Sequence, residues 1–163
     1  MMSNGLTIEE KATNHDTWTH IHNVQRRLLR VVEILIRRAH MHDQSKLMPP
    51  EVSIFTEFTP KLAASTYGSP EYEQFRKEMG PALAHHYAKN SHHPEHYKDG
   101  INDMDLLDLV EMLCDWKAAT ERHNDGNINK SLEINAKRFG IETQLAKVLD
   151  NTLWIFNEEQ PRF

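Results

Sequence analysis

Apolar positions along the chain recur mostly at intervals of three and four, the spacing of one helix face. Between Thr17 and Met41 there is neither glycine nor proline, and Ile21, Val24, Leu28, Val31, Leu35 and Ala39 fall on one side of a single long helix. Pro49-Pro50-Glu51 opens a second helix, since proline is tolerated in a first turn and glutamate suits the positive end. Ser69-Pro70-Glu71 opens a third, with serine as its N-cap. Gly80-Pro81 separates that helix from a fourth, which runs to Asn90, and Ser91 to Gly100 reads as a loop. A long helix follows from Asp103 to His123, closed by Asp125-Gly126. Ser131 caps a short helix that Gly140 ends, and Ile141 to Phe156 makes the last. Strand-like alternation is weak throughout. The pattern predicts an all-α bundle of about six to eight helices, one domain over residues 1–163, with 1–14 as a flexible N-terminus.

The polar positions add a bias. Arg26, Arg27, Arg30, Arg37 and Arg38 lie on the first helix against a single Glu33, five of the nine arginines in a chain of net charge −5. A phosphate-facing stripe and a plain solvated face are both consistent with that. The acidic total argues against coating duplex DNA, where basic surface supplies most of the affinity. One cysteine rules out an internal disulfide and a thiolate zinc site, whereas eleven histidines leave room for a metal held by imidazole and carboxylate. No apolar run approaches the ~20 residues that cross a bilayer. Met1 to Lys11 lacks the basic and apolar regions of a signal peptide, so a cytoplasmic protein is expected, in the host cytoplasm if phage-encoded.

Three constellations carry candidate chemistry. The first is His42-Asp43-Gln44-Ser45-Lys46, where adjacent imidazole and carboxylate suit a divalent ion. His15-Asp16 is a second such pair, which shows how common the dipeptide is. The second runs from Ala84 to His96 and holds five histidines. On its helix Leu83 and Tyr87 mark the core side, so His86 points inward and His85 further away. His92, His93 and His96 are also close enough in sequence for a histidine-only structural zinc site. The third is the helix from Asp103, apolar nearly all round and therefore expected in the middle of the domain. Asp108, Glu111 and Asp115 make one narrow acidic stripe on it. Buried carboxylates need a metal or a cation, so the stripe predicts either a metal or salt bridges to the arginines of the first helix. Cys114 falls on the apolar side and reads as packing.

The order His42-Asp43, His86, His92-His93, Asp115 resembles the HD-domain metal-dependent phosphohydrolases, an all-α superfamily. His42-Asp43-x-x-Lys46 looks like the HD-x-x-K signature of its cyclic-dinucleotide branch. His92-His93 with Glu95, then Asp99-Gly100, is similar to that branch's HHE…DG stretch, although Gly100-Ile101-Asn102 stands where a Gly-Tyr-Pro belongs. Nearly the whole chain also resembles a family of small phage and bacterial proteins of unassigned function, through His42 to Lys46, Tyr67 to Tyr72, His85 to Tyr97 and Asp108 to His123. The HD likeness implies His42, Asp43, His86, His92, His93 and Asp115 as ligands of one or two divalent transition metals: manganese, iron, cobalt, nickel or zinc. It implies Asp43, Lys46 and Glu95 as catalytic residues, Lys46 steadying the phosphate or a bridging hydroxide and Glu95 orienting a ligand. Arg27, Arg38 and Glu111 are expected to meet substrate. His20 matches the histidine that HD domains place before the His-Asp pair. An unbroken helix, however, sets it about 33 Å from His42.

These features predict a metal-dependent phosphohydrolase for a small phosphate ester such as a nucleotide, with no membrane or duplex-DNA partner and a homodimer open to it. The alternative is a non-enzymatic accessory protein on a degenerate HD scaffold, holding a structural metal or none. An RNA-binding module using the arginine stripe is disfavoured by the acidic total.

Overall fold

The computed structural model describes residues 5–122 and 126–157. His123 and Asp125, expected at the end of the long acidic-striped helix, lie outside them, as do Met1 to Asn4. Among the described residues there are seven α-helices and no strand: α1 Ile8–Met41, α2 Glu51–Ala64, α3 Pro70–Glu78, α4 Gly80–Lys89, α5 Leu106–Thr120, α6 Ile128–Phe139 and α7 Thr143–Thr152. The expected all-α class is the observed one. The chain divides into two units, Met1–Met41 and His42–Phe163.

The first unit is α1. It starts at Ile8, nine residues before the glycine- and proline-free stretch suggested, because Thr7 and Glu10 form a reciprocal cap. Thr7 N–H donates to Glu10 Oε2 at 2.7 Å, and Glu10 N–H donates to Thr7 Oγ1 at 3.1 Å. Residues 8–14, expected in a flexible N-terminus, are thus helical. No residue of α1 is buried. Glu33 pairs with Arg30 at 2.6 Å and with Arg37, both of them neighbours one turn away.

The second unit is built on α5. Its Leu109, Met112, Leu113 and Trp116 form one core with Leu132 of α6, Leu149 of α7 and Ile141 between those helices. The Trp116 and Phe139 rings stack with centroids 6.2 Å apart. Asp105, rather than Asp103, caps α5 through a capping box with Asp108. Gly100–Asp103 forms a separate 3-10 turn. Burial is one-sided, contrary to the all-round burial expected of this helix. Leu106, Val110 and Cys114 recur every four residues on an exposed face, so Cys114 is not packed. Asn127 caps α6 through Lys130 N–H. Ser131, expected as the cap, is inside the helix and buried.

On the other side, Ser69 caps α3 as expected, accepting from Tyr72 N–H at 3.2 Å. Phe58 of α2, Met79 between α3 and α4, and Ala82 of α4 are buried. Glu51, in the first turn of α2, is fully buried beside α4.

Candidate metal centre

The site gathers side chains from four places. Residues His42 and Asp43 lead into the 3-10 turn Gln44–Leu47. His86 comes from α4, His92 and His93 from the loop after it, and Glu111 and Asp115 from α5. Asp43 sits at φ 56°, the left-handed region that aspartate tolerates better than most residues. The loop is held by Asp108, which is 2% exposed. Asp108 accepts from Ser91 Oγ and from the Tyr97 hydroxyl, each at 2.7 Å, and from Asp105 N–H at 3.0 Å. That anchoring sets His92 and His93 facing Asp43.

Three overlapping groups have donor atoms close enough to share an ion: Asp43, His86, His92 and His93; His42, His92 and Glu111; His42, Asp43 and Asp115. Asp43 belongs to two of them and offers a different oxygen to each. Its Oδ1 lies 3.3 Å from His86 Nε2 and 3.6 Å from His92 Nε2. Its Oδ2 lies 3.5 Å from His42 Nε2, which is 3.6 Å from Asp115 Oδ1.

The outer ring nitrogens fix which lone pairs point inward. A carboxylate only accepts, so His86 Nδ1–H donates to Glu51 Oε2 at 2.9 Å, and His92 Nδ1–H donates to Glu111 Oε1 at 3.0 Å. Both rings therefore turn an Nε2 toward Asp43 Oδ1, with His93 Nε2 a further 2.9 Å from His86 Nε2. Asp43 Oδ1 and His92 Nε2 are buried and have no hydrogen-bond partner among the described residues. Acceptor atoms that face one another in a buried place without a donor fit a cation, and this donor set suits a transition metal.

Without an ion, the site's own cations balance its carboxylates. Hydrogen bonds to Asp115 and Glu111 push His42 up to about 10, against its burial. Burial, then the nearby His92 and His86, takes His93 down to about 3, so it is a neutral donor. Burial would raise Asp43, but His86 and the charge of Lys46 outweigh it and hold the carboxyl well below its usual range. Asp115 is likewise kept low, the hydrogen bond from His42 overcoming burial.

A family model matches residues 9–158, almost the whole chain. The chain belongs to the family of unknown function DUF5662. No curated protein and no solved structure matches it. In this DUF5662 chain, therefore, the chemistry rests on the geometry alone.

Each expected site residue has a definite place. His42, Asp43, His86, His92, His93 and Asp115 are brought together. Lys46 Nζ bonds Asp43 Oδ2 and lies 5.1 Å over the Phe55 ring. Glu111, expected toward substrate, lies between His42 Nδ1 at 2.8 Å and His92 Nδ1 at 3.0 Å. Glu95, expected to orient a ligand, accepts from Arg138 at 2.6 Å, and the acid that bonds His86 is Glu51. His96 is outside the groups, its Nδ1 bonded to the Tyr87 carbonyl at 2.8 Å. Arg27 and Arg38 lie on α1 in the first unit, Arg27 donating to the Asn23 carbonyl at 2.9 Å. α1 passes His20 unbroken, so the break that would free that histidine is not there. Among the described residues no helix is long and apolar enough to cross a membrane.

Proposed function

We propose that the protein is a metal-dependent phosphohydrolase acting on a nucleotide or a related small phosphate ester. The observation that carries this reading is the carboxylate of Asp43, one oxygen toward His86 and His92, the other toward His42. That arrangement suits a carboxylate bridging two ions. A divalent ion held there would lower the pKa of a bound water and polarise a phosphoryl oxygen. Glu51 and Glu111 hold the imidazole tautomers that leave Nε2 free to bind. Lys46, a cation beside Asp43 Oδ2, is placed to receive a phosphoryl oxygen. His86, His93, Lys46 and Asp115 line a cavity of about 630 Å³, which gives a substrate access. That volume is within the range of small-molecule sites.

A second reading is a structural metal in an accessory protein. It is favoured by the four donors of Asp43, His86, His92 and His93, enough to fill a tetrahedral ion without an open position. One experiment separates the two. The untagged protein is purified and its bound manganese, iron, cobalt, nickel and zinc are measured. Phosphate release from nucleoside mono- and triphosphates is then assayed with each metal. The enzyme reading expects bound metal and phosphate release, both lost in Asp43→Asn. Bound metal without turnover on any ester supports the structural reading. A protein that takes up none of these metals overturns both.

A further inference from the structure

The cavity beside Asp43 is more basic than the protein around it. Its walls carry Lys46, Arg76, Arg122 and Arg138 against two acids, Glu95 and Asp115. Three of the four arginines that follow Met41 in the sequence, Arg76, Arg122 and Arg138, therefore line one hollow in a chain of net charge −5. Phe55, Tyr72, Leu83, Trp116 and Phe139 also line it, which makes the hollow partly apolar and aromatic.

One tyrosine measures the separation between metal cluster and arginines. The Tyr87 ring packs 5.0 Å from the His93 ring, and its hydroxyl accepts from Arg76 Nη2 at 2.8 Å. Arg138 comes from α6 and is set 4.5 Å over the Phe139 ring. Both guanidiniums turn to the same oxygen: Glu95 Oε1 is 2.6 Å from Arg138 Nη2 and 3.7 Å from Arg76 Nη2. Arg76 also bonds Glu73 at 2.9 Å, but Glu73 is half exposed and does not line the cavity. Glu95 follows Pro94 and His93 directly, so the loop that presents a candidate ligand also lays a carboxylate between two arginine forks.

We infer that Arg76 and Arg138 form an anion seat at the far side of this cavity, which Glu95 occupies when no ligand is bound. Planar guanidiniums from two helices converging on one oxygen are the geometry that recognises phosphate or carboxylate. Combined with the phosphohydrolase reading, on which this part rests, the seat names a substrate class. The ester cut near Asp43 carries a second anionic group beyond a flat or apolar middle, as a nucleoside bisphosphate does. The plainer role, a staple tying the loop to α3 and α6, would predict no ligand effect.

The test is made on protein stripped of metal with a chelator, so that it does not depend on turnover. Inorganic phosphate is titrated calorimetrically into the wild type, Glu95→Gln and Glu95→Gln/Arg138→Gln. Removing the competing carboxylate should tighten phosphate binding up to about fivefold, the worth of a partly exposed ion pair. The added Arg138→Gln should abolish that gain. Arg76→Lys keeps the charge but loses the fork, and should weaken phosphate binding even if the double variant fails to fold. Phosphate affinity unchanged by Glu95→Gln, or a gain that survives loss of Arg138, overturns the seat. If the enzyme turns over, Arg138→Gln should lower kcat/KM severalfold more for a nucleoside bisphosphate than for the monophosphate. An equal loss on both would favour the staple. Failure of the metal assay alone would leave the phosphate titration standing and remove only the substrate assignment.

Discussion

Both oxygens of Glu51 accept from imidazoles, Oε1 from His85 at 2.6 Å and Oε2 from His86 at 2.9 Å. This glutamate is fully buried, and nothing in its local sequence marks it as more than a favourable first-turn residue after Pro49-Pro50. Its partners are 34 and 35 positions away, which no spacing rule reaches. The histidines themselves were legible, because they cluster and stand beside an aspartate or a helix face. Glu51→Gln should weaken metal affinity by about 10–100-fold while far-UV circular dichroism stays unchanged. Competition against a chelating dye measures it, and unaltered affinity would deny Glu51 a hand in the site. His42 yields a pH prediction for the metal-free protein. Its folded pKa is raised from 6.5 to about 10, so its contribution to stability is full below 6.5 and is lost as pH rises through about 10. Urea unfolding of chelator-treated protein should therefore show falling stability across that interval, and His42→Gln should flatten the fall.

At the scale of elements, the boundaries marked by glycine or by serine before proline are readable, because those residues act through neighbouring backbone, whereas the starts of α1 and α6 depend on the Thr7–Glu10 pair and on Asn127. Ser69 at α3 and Gly140 after α6 stand where their local chemistry puts them. The N-terminus of α5 was misplaced by two residues, since Asp103 and Asp105 are equally good caps and only the reciprocal bond with Asp108 decides between them. Asp105→Ala should cost about 1 kcal/mol of stability in urea unfolding. The acidic stripe of α5 is divided by packing. Asp108 holds the loop, whereas Glu111 and Asp115 face His42. Removing the hydroxyl in Tyr97→Phe should cost about 1 kcal/mol. It should also weaken metal binding, because the loop it anchors carries His92 and His93. A loss of stability with metal affinity intact would uncouple the anchor from the site.

Across the whole molecule, every candidate ligand falls after Met41, in the second unit. Zinc or manganese at 100 times its dissociation constant should then stabilise that unit by about 2.7 kcal/mol, read as a rise in Tm that a chelator reverses. A Tm insensitive to every transition metal would count against the site. The division into units was not readable from the apolar pattern, which gives α1 a side to bury just as it does α5. α1 has 34 residues, none of them buried, and carries its own ladder, the Thr7–Glu10 cap and the pairs around Glu33. A helix ladder is cooperative along its length and weakest at its ends. Its end amides should therefore exchange with deuterium well before its middle ones, read residue by residue from hydrogen exchange.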